Sequence, residues 1–531
     1  MTKQPISRRD FLRILGLGGA ALLGGGILNA CNPQETPVAT GVPAGTLPTT
    51  GAPGNTPQPT AATGGFDVEI ALRAAPAEVQ ILDGKPTSVW RYQAELLSGP
   101  SDALIPLENT YLGPIINLQN GQRVRVHFTN DLPEESIVHW HGLHVPVEAD
   151  GHPRFAIGPG ETYIYDFTVD DRAGTYWYHP HPHGRTGPQA YYGLAGLLLI
   201  HDEEEQALGL PSGEYDVPLV LQDRTFDGDN QLVYGGNGMM DQMMGFLGNR
   251  MLVNGQADFT LPVATRPYRL RLHNGSNSRI YKLAWEDDTP LTVIATTGGL
   301  LEKPVQREYI TLAPAQRVEL WVDFSGRTVG EELRLVNLPS AAPGSSAFPV
   351  ARITIEREES AASPLPERLS TISWHKEAEA VNRNTPRTFT LAMGMGRGWS
   401  INGRTFKMTE VARDEIVKLG DLEIWEFVNQ AGGGMGMGMG GGGMALPHPM
   451  HVHGLQFQVI AREVTSSGRA AWETVKDGYV DEGWLDTVLV MPGERVKILL
   501  KFEDFEGLYL YHCHNLEHED MGMMRNYKVI G

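Results

Sequence analysis

The sequence predicts an all-β chain of three consecutive β-sandwich domains, and three observations predict it. From about residue 66 onward, short runs alternate apolar with polar residues between turn signals, with almost no helical periodicity. Glycine (62) and proline (36) are plentiful, as a turn-rich chain requires. One pattern also recurs: an Asn-Gly turn followed by an alternating strand that ends in Asn. It runs as Asn120-Gly121 with Val124–Asn130, Asn254-Gly255 with Tyr268–Asn274, and Asn402-Gly403 with Leu422–Asn429. Three copies in 531 residues place domains at 66–205, 212–360 and 368–531, each large enough to bury its own core.

The rest of the composition narrows function by exclusion. The chain is 41 % apolar and 20 % charged, as in ordinary globular proteins. Its net charge of −20 argues against nucleic acid as a partner, because phosphate binding needs a basic face. Residues 1–31 read as a targeting segment. Ser7-Arg8-Arg9-Asp10-Phe11-Leu12-Arg13 precedes an apolar run from Ile14 to Leu28 that is shorter than the ~20 residues of a membrane span. This resembles a twin-arginine signal, which exports folded proteins to the periplasm or cell surface. Leu28-Asn29-Ala30-Cys31 resembles a lipobox, so a lipid on Cys31 is one expectation and simple cleavage near Ala30 the other. Residues 32–65, rich in Pro, Thr, Gly and Ala, read as a disordered linker. With Cys31 and Cys513 the only cysteines, the mature chain has no internal disulfide, and Cys513 is a lone thiol.

Four short segments concentrate the chemistry: His139-Trp140-His141-Gly142, Tyr178-His179-Pro180-His181, His448-Pro449-Met450-His451-Val452-His453, and His512-Cys513-His514 with His518 and Met523. They hold ten of the 17 histidines. In a strand, residues i and i+2 share a face, so each His-x-His aims two imidazoles at one place. Four such pairs supply eight imidazoles, enough for several metal ions. Cys513 faces away from its two histidines and can bind a separate metal on the other side of the strand. A thiolate, two imidazoles (His448, His518) and a thioether (Met523) are the trigonal set with a weak axial ligand of blue copper. Zinc does not call for the Met, and non-haem iron would want a carboxylate. His183 breaks the strand register, and His127, His144, His152, His201, His273 and His375 read as structural or surface histidines.

In this order, at the two ends of a three-domain chain, the four motifs resemble those of the bacterial multicopper oxidases, nearest the copper-efflux oxidase and spore-coat laccase branch. The resemblance implies three cupredoxin-like Greek-key sandwiches and four copper ions. It makes His448, Cys513, His518 and Met523 type 1 ligands, and His139 and His451 type 2 ligands. His141, His179, His181, His453, His512 and His514 become type 3 ligands, in a cluster shared between domains 1 and 3. It further implies one-electron oxidation of a reducing substrate and reduction of dioxygen to water; since three domains suffice to complete all copper sites in one chain, a monomer is the default expectation. Asp150 and Glu519 correspond to the family's proton-relay acids; the plainer role for each is orienting a ligand imidazole.

Two methionine-bearing stretches bear on the reductant. Met239-Met240-Asp241-Gln242-Met243-Met244 pairs methionines at i and i+4, one soft face if helical. Met435, Met437, Met439 and Met444 lie in glycine just before His448. Thioethers favour Cu(I), which argues for a cuprous substrate, with gap-filling as the bland alternative. The copper-efflux pattern, however, places Asp and Met where Met444 and Leu446 stand, and Asp where Lys407 stands. Laccase-type oxidation of phenols or aromatic amines is therefore the competing expectation. A copper-free binding or assembly protein would lose ligand positions, and all twelve are filled here.

Overall fold

The structure is a computed structural model that describes residues 65–360, 364–393, 398–430 and 445–531. The targeting segment with Cys31, the linker up to residue 64, and Met435, Met437, Met439 and Met444 lie outside the described residues. Among the described residues, six sheets form three face-to-face pairs. Apolar residues from both sheets of a pair interlock. Phe128, Trp140 and Leu198 share the first core, Leu270, Leu283 and Ile353 the second, and Phe427, Val488 and Tyr511 the third.

The strand wiring repeats. In one sheet of each pair the opening strand runs parallel to the strand that ends in Asn: Val68–Val79 beside Arg123–Asn130, Asp216–Arg224 beside Pro267–Asn274, Arg387–Met393 beside Leu422–Asn429. The other sheet carries a second parallel pair: Ile115–Gln119 with Gly196–His201, Thr260–Ala264 with Phe348–Arg357, and Ile416–Lys418 with Met524–Ile530. Parallel neighbours need crossovers rather than hairpins, which ties the two sheets of each pair together.

The terminal asparagine has one job in all three copies. Each is buried, and its carboxamide donates to two carbonyls beyond the strand: Asn130 to Glu134 and Ile157, Asn274 to Arg279 and Leu312, Asn429 to Leu446 and Val490. A buried carbonyl without a donor costs ~1–3 kcal/mol, so a side chain with two N–H groups is selected at that point. At the turns, Asn254-Gly255 and Asn402-Gly403 place both residues at positive φ, a two-residue hairpin geometry that favours this dipeptide. At Asn120-Gly121 only the glycine is left-handed.

Candidate metal centre

Strand alternation decides where the imidazoles point. Val138–His141 pairs with Gly174–Pro180 so that His139 lies opposite His179, and His448–Val452 pairs with Gly507–Cys513 so that His451 lies opposite His512. The intervening Trp140 turns into the first core, edge-on to Tyr165 at 5.3 Å. That indole holds the His-x-His strand rigid; truncating such a residue costs ~3–5 kcal/mol.

Eight imidazoles from the first and third sandwiches converge as a result. Their donor atoms form three groups, each within 4.8 Å: His139, His141 and His451; His141, His179 and His514; His181, His453 and His512. Across the sandwiches, His139 Nε2 lies 3.4 Å from His451 Nε2 and His181 Nε2 lies 3.3 Å from His512 Nε2. Both nitrogens of His514 and Nδ1 of His181 are buried without a hydrogen-bond partner. Imidazole nitrogens gathered this closely, with His514 given no hydrogen-bond partner at all, fit metal ions and little else.

Burial, reinforced by neighbouring imidazoles, holds His139, His141, His179, His451, His453 and His514 well below the usual histidine range. The unfolded chain protonates these groups near pH 6.5 and the folded, metal-free chain does not. Stability is therefore present above pH 6.5 and lost as pH falls below it, by about 1.4 kcal/mol per pH unit for each such group. Thermal unfolding of metal-free protein should show Tm falling steeply from pH 7 to pH 5; a flat Tm over that range contradicts the buried neutral cluster.

Cys513 lies on the other side of its strand. Its Sγ is 3.5 Å from His448 Nδ1 and 3.7 Å from His518 Nδ1, and those nitrogens are 3.2 Å apart. Met523, fully buried, is tied to both neighbours through the main chain. Its N–H donates to His518 O at 2.9 Å and its carbonyl accepts from Cys513 N–H at 3.0 Å. Burial pushes the Cys513 thiol well above its usual range, so a cation among these donors is what would make it a thiolate.

The outer edge of this site is covered. Trp399 packs on His518 at 4.4 Å and edge-on to His448 at 4.8 Å. His518 Nε2–H and Trp399 Nε1–H both donate to Met243 O, each at 3.1 Å. Met243 belongs to a helix spanning Met239–Met244. The paired methionines do not form one uniform face: Met239 and Met240 are 53 % and 56 % exposed, while Met243 and Met244 are half-buried. A six-residue helix makes fewer than two turns, and this one meets the body at its C-terminal end.

Two carboxyls touch the histidine cluster. Asp150 O is 2.5 Å from His139 Nδ1 and its Oδ2 is 2.9 Å from His453 Nδ1, while Oδ1 is buried without a partner. Burial pushes this acid up to about 8. Glu519 Oε2 is 3.2 Å from His512 Nδ1, and Oε1 accepts from Thr186 Oγ–H at 2.7 Å. Burial raises Glu519 too, but His181, His512 and Thr186 outweigh it and lower the group overall. Two carboxyls with environments pushed apart suit different proton tasks.

The structure also adds residues the sequence did not disclose: Asp486 beside His141, Arg317 behind Asp486, and Trp399 over His518. The one signal for Arg317 is a charge opening a mostly buried strand, Arg317–Asp323. Outside the groups, His183 packs on Phe406, His152 bonds Asn526, and His144 bonds Gly454 O. His273 is buried against Trp177 at 4.4 Å.

Clustered imidazoles one residue from a Cys-His-His site define a protein that holds several redox-active metal ions close enough to exchange electrons. Residues 88–205 and 380–530 match family models described as multicopper oxidase. The chain is 33 % identical to the multicopper oxidase mco of Staphylococcus haemolyticus, over 79 % of this chain and 82 % of that one. It is 30 % identical to a laccase of Bacillus subtilis, over 83 % and 90 %. The crystal structure of the McoA multicopper oxidase of Aquifex aeolicus superposes with a TM-score of 0.74 at 36 % identity, covering 88 % of this chain and 97 % of that one. The chain belongs to the multicopper oxidase family. It is an oxidoreductase of the laccase and copper-efflux oxidase branch with four coppers: one type 1, one type 2 and two type 3.

Proposed function

We propose that this chain is an exported cuprous oxidase that spends the electrons of Cu(I) on dioxygen, with phenols and aromatic amines as slower donors. The observation that carries this reading is the covered edge of the Cys513 site. The outer nitrogen of His518 is bonded to Met243 O under Trp399, so a bulky aromatic cannot touch the imidazole, while Met239 and Met240 stand exposed on the same helix. Thioethers hold Cu(I) well. Lys407 and Leu446, where copper-efflux oxidases place ligands, favour the laccase reading instead.

In this reading His448, Cys513, His518 and Met523 hold type 1 copper, His139 and His451 type 2 copper, and the other six cluster histidines the type 3 pair. Bound copper supplies one-electron exchange at Cys513 and four-electron reduction of dioxygen at the histidine cluster. The chain supplies the rest. Residues 512–514 join the two sites through consecutive peptide bonds, the buried shell excludes water, Asp150 holds a proton beside the cluster, and Glu519, held low beside His512, offers a carboxylate to accept one. One chain completes both sites, so a monomer suffices, and domains at 66–205, 212–360 and 368–531 fit the three sheet pairs. The paired arginines Arg8-Arg9 support twin-arginine export to the periplasm or cell surface, in service of copper tolerance, with Cys31 available for a lipid. The convergence of donor atoms speaks against a copper-free assembly role.

The test is oxygen uptake by copper-loaded enzyme with Cu(I) and, separately, a simple phenol, on the intact chain and on one lacking Gly432–Gly443. Dominant Cu(I) turnover that collapses on deletion while phenol turnover rises supports a cuprous oxidase gated by the Gly/Met stretch. Dominant phenol turnover indifferent to the deletion makes it a laccase.

A further inference from the structure

Asp486, fully buried, sits just before the strand Thr487–Val490, which pairs with His448–Val452. Its main-chain carbonyl accepts from His451 Nδ1–H at 2.7 Å, and its Oδ1 lies 3.2 Å from His141 Nε2. One residue thus meets the outer nitrogens of one imidazole from each sandwich of the cluster. A guanidinium fork holds the carboxylate from behind: Arg317 Nη1–H donates to Oδ1 at 3.0 Å and Nη2–H to Oδ2 at 2.7 Å. Thr487 Oγ–H adds a bond to Oδ1 at 2.9 Å. Arg317 comes from the middle sandwich, and its remaining donors are taken by the carbonyls of Thr175, Ala315 and Thr297. A planar, bidentate pair of this kind fixes orientation as well as charge.

Gly142, next to His141, shows that the chain makes room for the pair. It has φ +93°, and a Cβ there would come within 2.6 Å of Asp486 Oδ2 and 2.9 Å of Arg317 Nη2. The arrangement also mirrors Asp150. Asp150 places its carbonyl on a first-sandwich imidazole (His139) and its carboxylate on a third-sandwich one (His453). Asp486 does the reverse, with its carbonyl on His451 and its carboxylate on His141. The two differ in one respect: Asp150 Oδ1 has no partner, whereas both oxygens of Asp486 are held by Arg317.

We propose that Asp486, clamped by Arg317, is a positioning residue for the copper cluster. It fixes the tautomer and ring orientation of His141 and His451, and through it the middle sandwich, which gives no imidazole to the three groups, shapes the site. Outer hydrogen bonds of this kind govern metal affinity and activity by 10–100-fold. The proposal rests on the copper assignment above, and the test separates the two.

Asp486→Asn and Arg317→Gln, each loaded with copper, are compared with the parent by blue absorption, copper per chain and the type 2 paramagnetic resonance signal. The blue band from the Cys513 site should persist, the type 2 signal should shift or vanish with copper falling below four per chain, and dioxygen turnover should drop on the order of 10–100-fold. A parent without a blue band would sink the copper assignment itself. Four coppers and an unchanged type 2 signal in both variants would overturn the positioning role. If either single variant fails to fold, Asp486→Asn combined with Arg317→Met leaves no buried charge unpaired. A purely structural clamp predicts that the double variant regains the parental type 2 signal; a positioning role predicts a blue protein whose type 2 signal stays altered.

Discussion

Cys513→Ser should yield a folded, colourless protein with no measurable dioxygen reduction by any donor. Serine nearly matches cysteine in shape, and Asn515 N–H, which now meets Sγ at 3.4 Å, can donate to the hydroxyl instead. The cost to the fold is therefore limited to placing a hydroxyl in an apolar surround, about 1–3 kcal/mol. The electronic consequence is total. A hydroxyl is a hard, weak donor where a soft thiolate is needed, so the Cys-His-His triangle loses the ligand that gives blue copper its colour. The link from that triangle to His512 and His514 also runs through residue 513. Absorption, copper per chain and oxygen uptake check this together: the variant should lack the blue band, retain copper at the histidine cluster, and consume no oxygen. A blue or active Cys513→Ser protein would mean that electrons enter elsewhere.

The parts of this centre visible in the sequence are those written in period two. His-x-His on a strand fixes which side each imidazole faces, so the eight-histidine convergence and the opposite placement of Cys513 follow from four short segments. The terminal asparagines Asn130, Asn274 and Asn429 were likewise legible as a repeat, although their shared task of bonding two carbonyls needed coordinates to see. What stayed hidden is contact between sandwiches. Arg317 and Asp486 are 169 residues apart, and nothing periodic links them. Trp399 stands in an ordinary turn-strand context, and only the fold lays its ring on His518. The Met239–Met244 stretch could be read only as one soft face if helical; that it is a helix, and which end attaches, depends on Met243 O meeting two donors from the third sandwich.

Asp150→Asn should keep the blue band and slow dioxygen reduction by about 10²–10⁴-fold, the span of one lost general acid. Asparagine preserves the shape and an acceptor oxygen for His453 Nδ1–H, so a residue that only orients His453 would tolerate the change. What asparagine cannot do is carry and release a proton. Asp150 is suited to that task because burial pushes its acid up to about 8, and Oδ1 is buried with no competing partner. A donor of this kind works in its protonated form, so parental turnover should fall as pH rises through its pKa. Nearby copper lowers that pKa from about 8, because positive charge favours the carboxylate, and moves the falling limb to lower pH. The variant should lose that limb and run slow at every pH. Reoxidation of prereduced enzyme across pH 5–9 reads this step without substrate oxidation. Parental rates in Asp150→Asn would remove Asp150 from the proton path and leave Glu519, already held low beside His512, as the acid to test. Asp486→Asn should behave differently again, altering the type 2 signal while the falling limb stays in place, since Asp150 is untouched in that variant. If both variants behave so, the mirrored aspartates divide the work, one moving protons and the other holding ligands still.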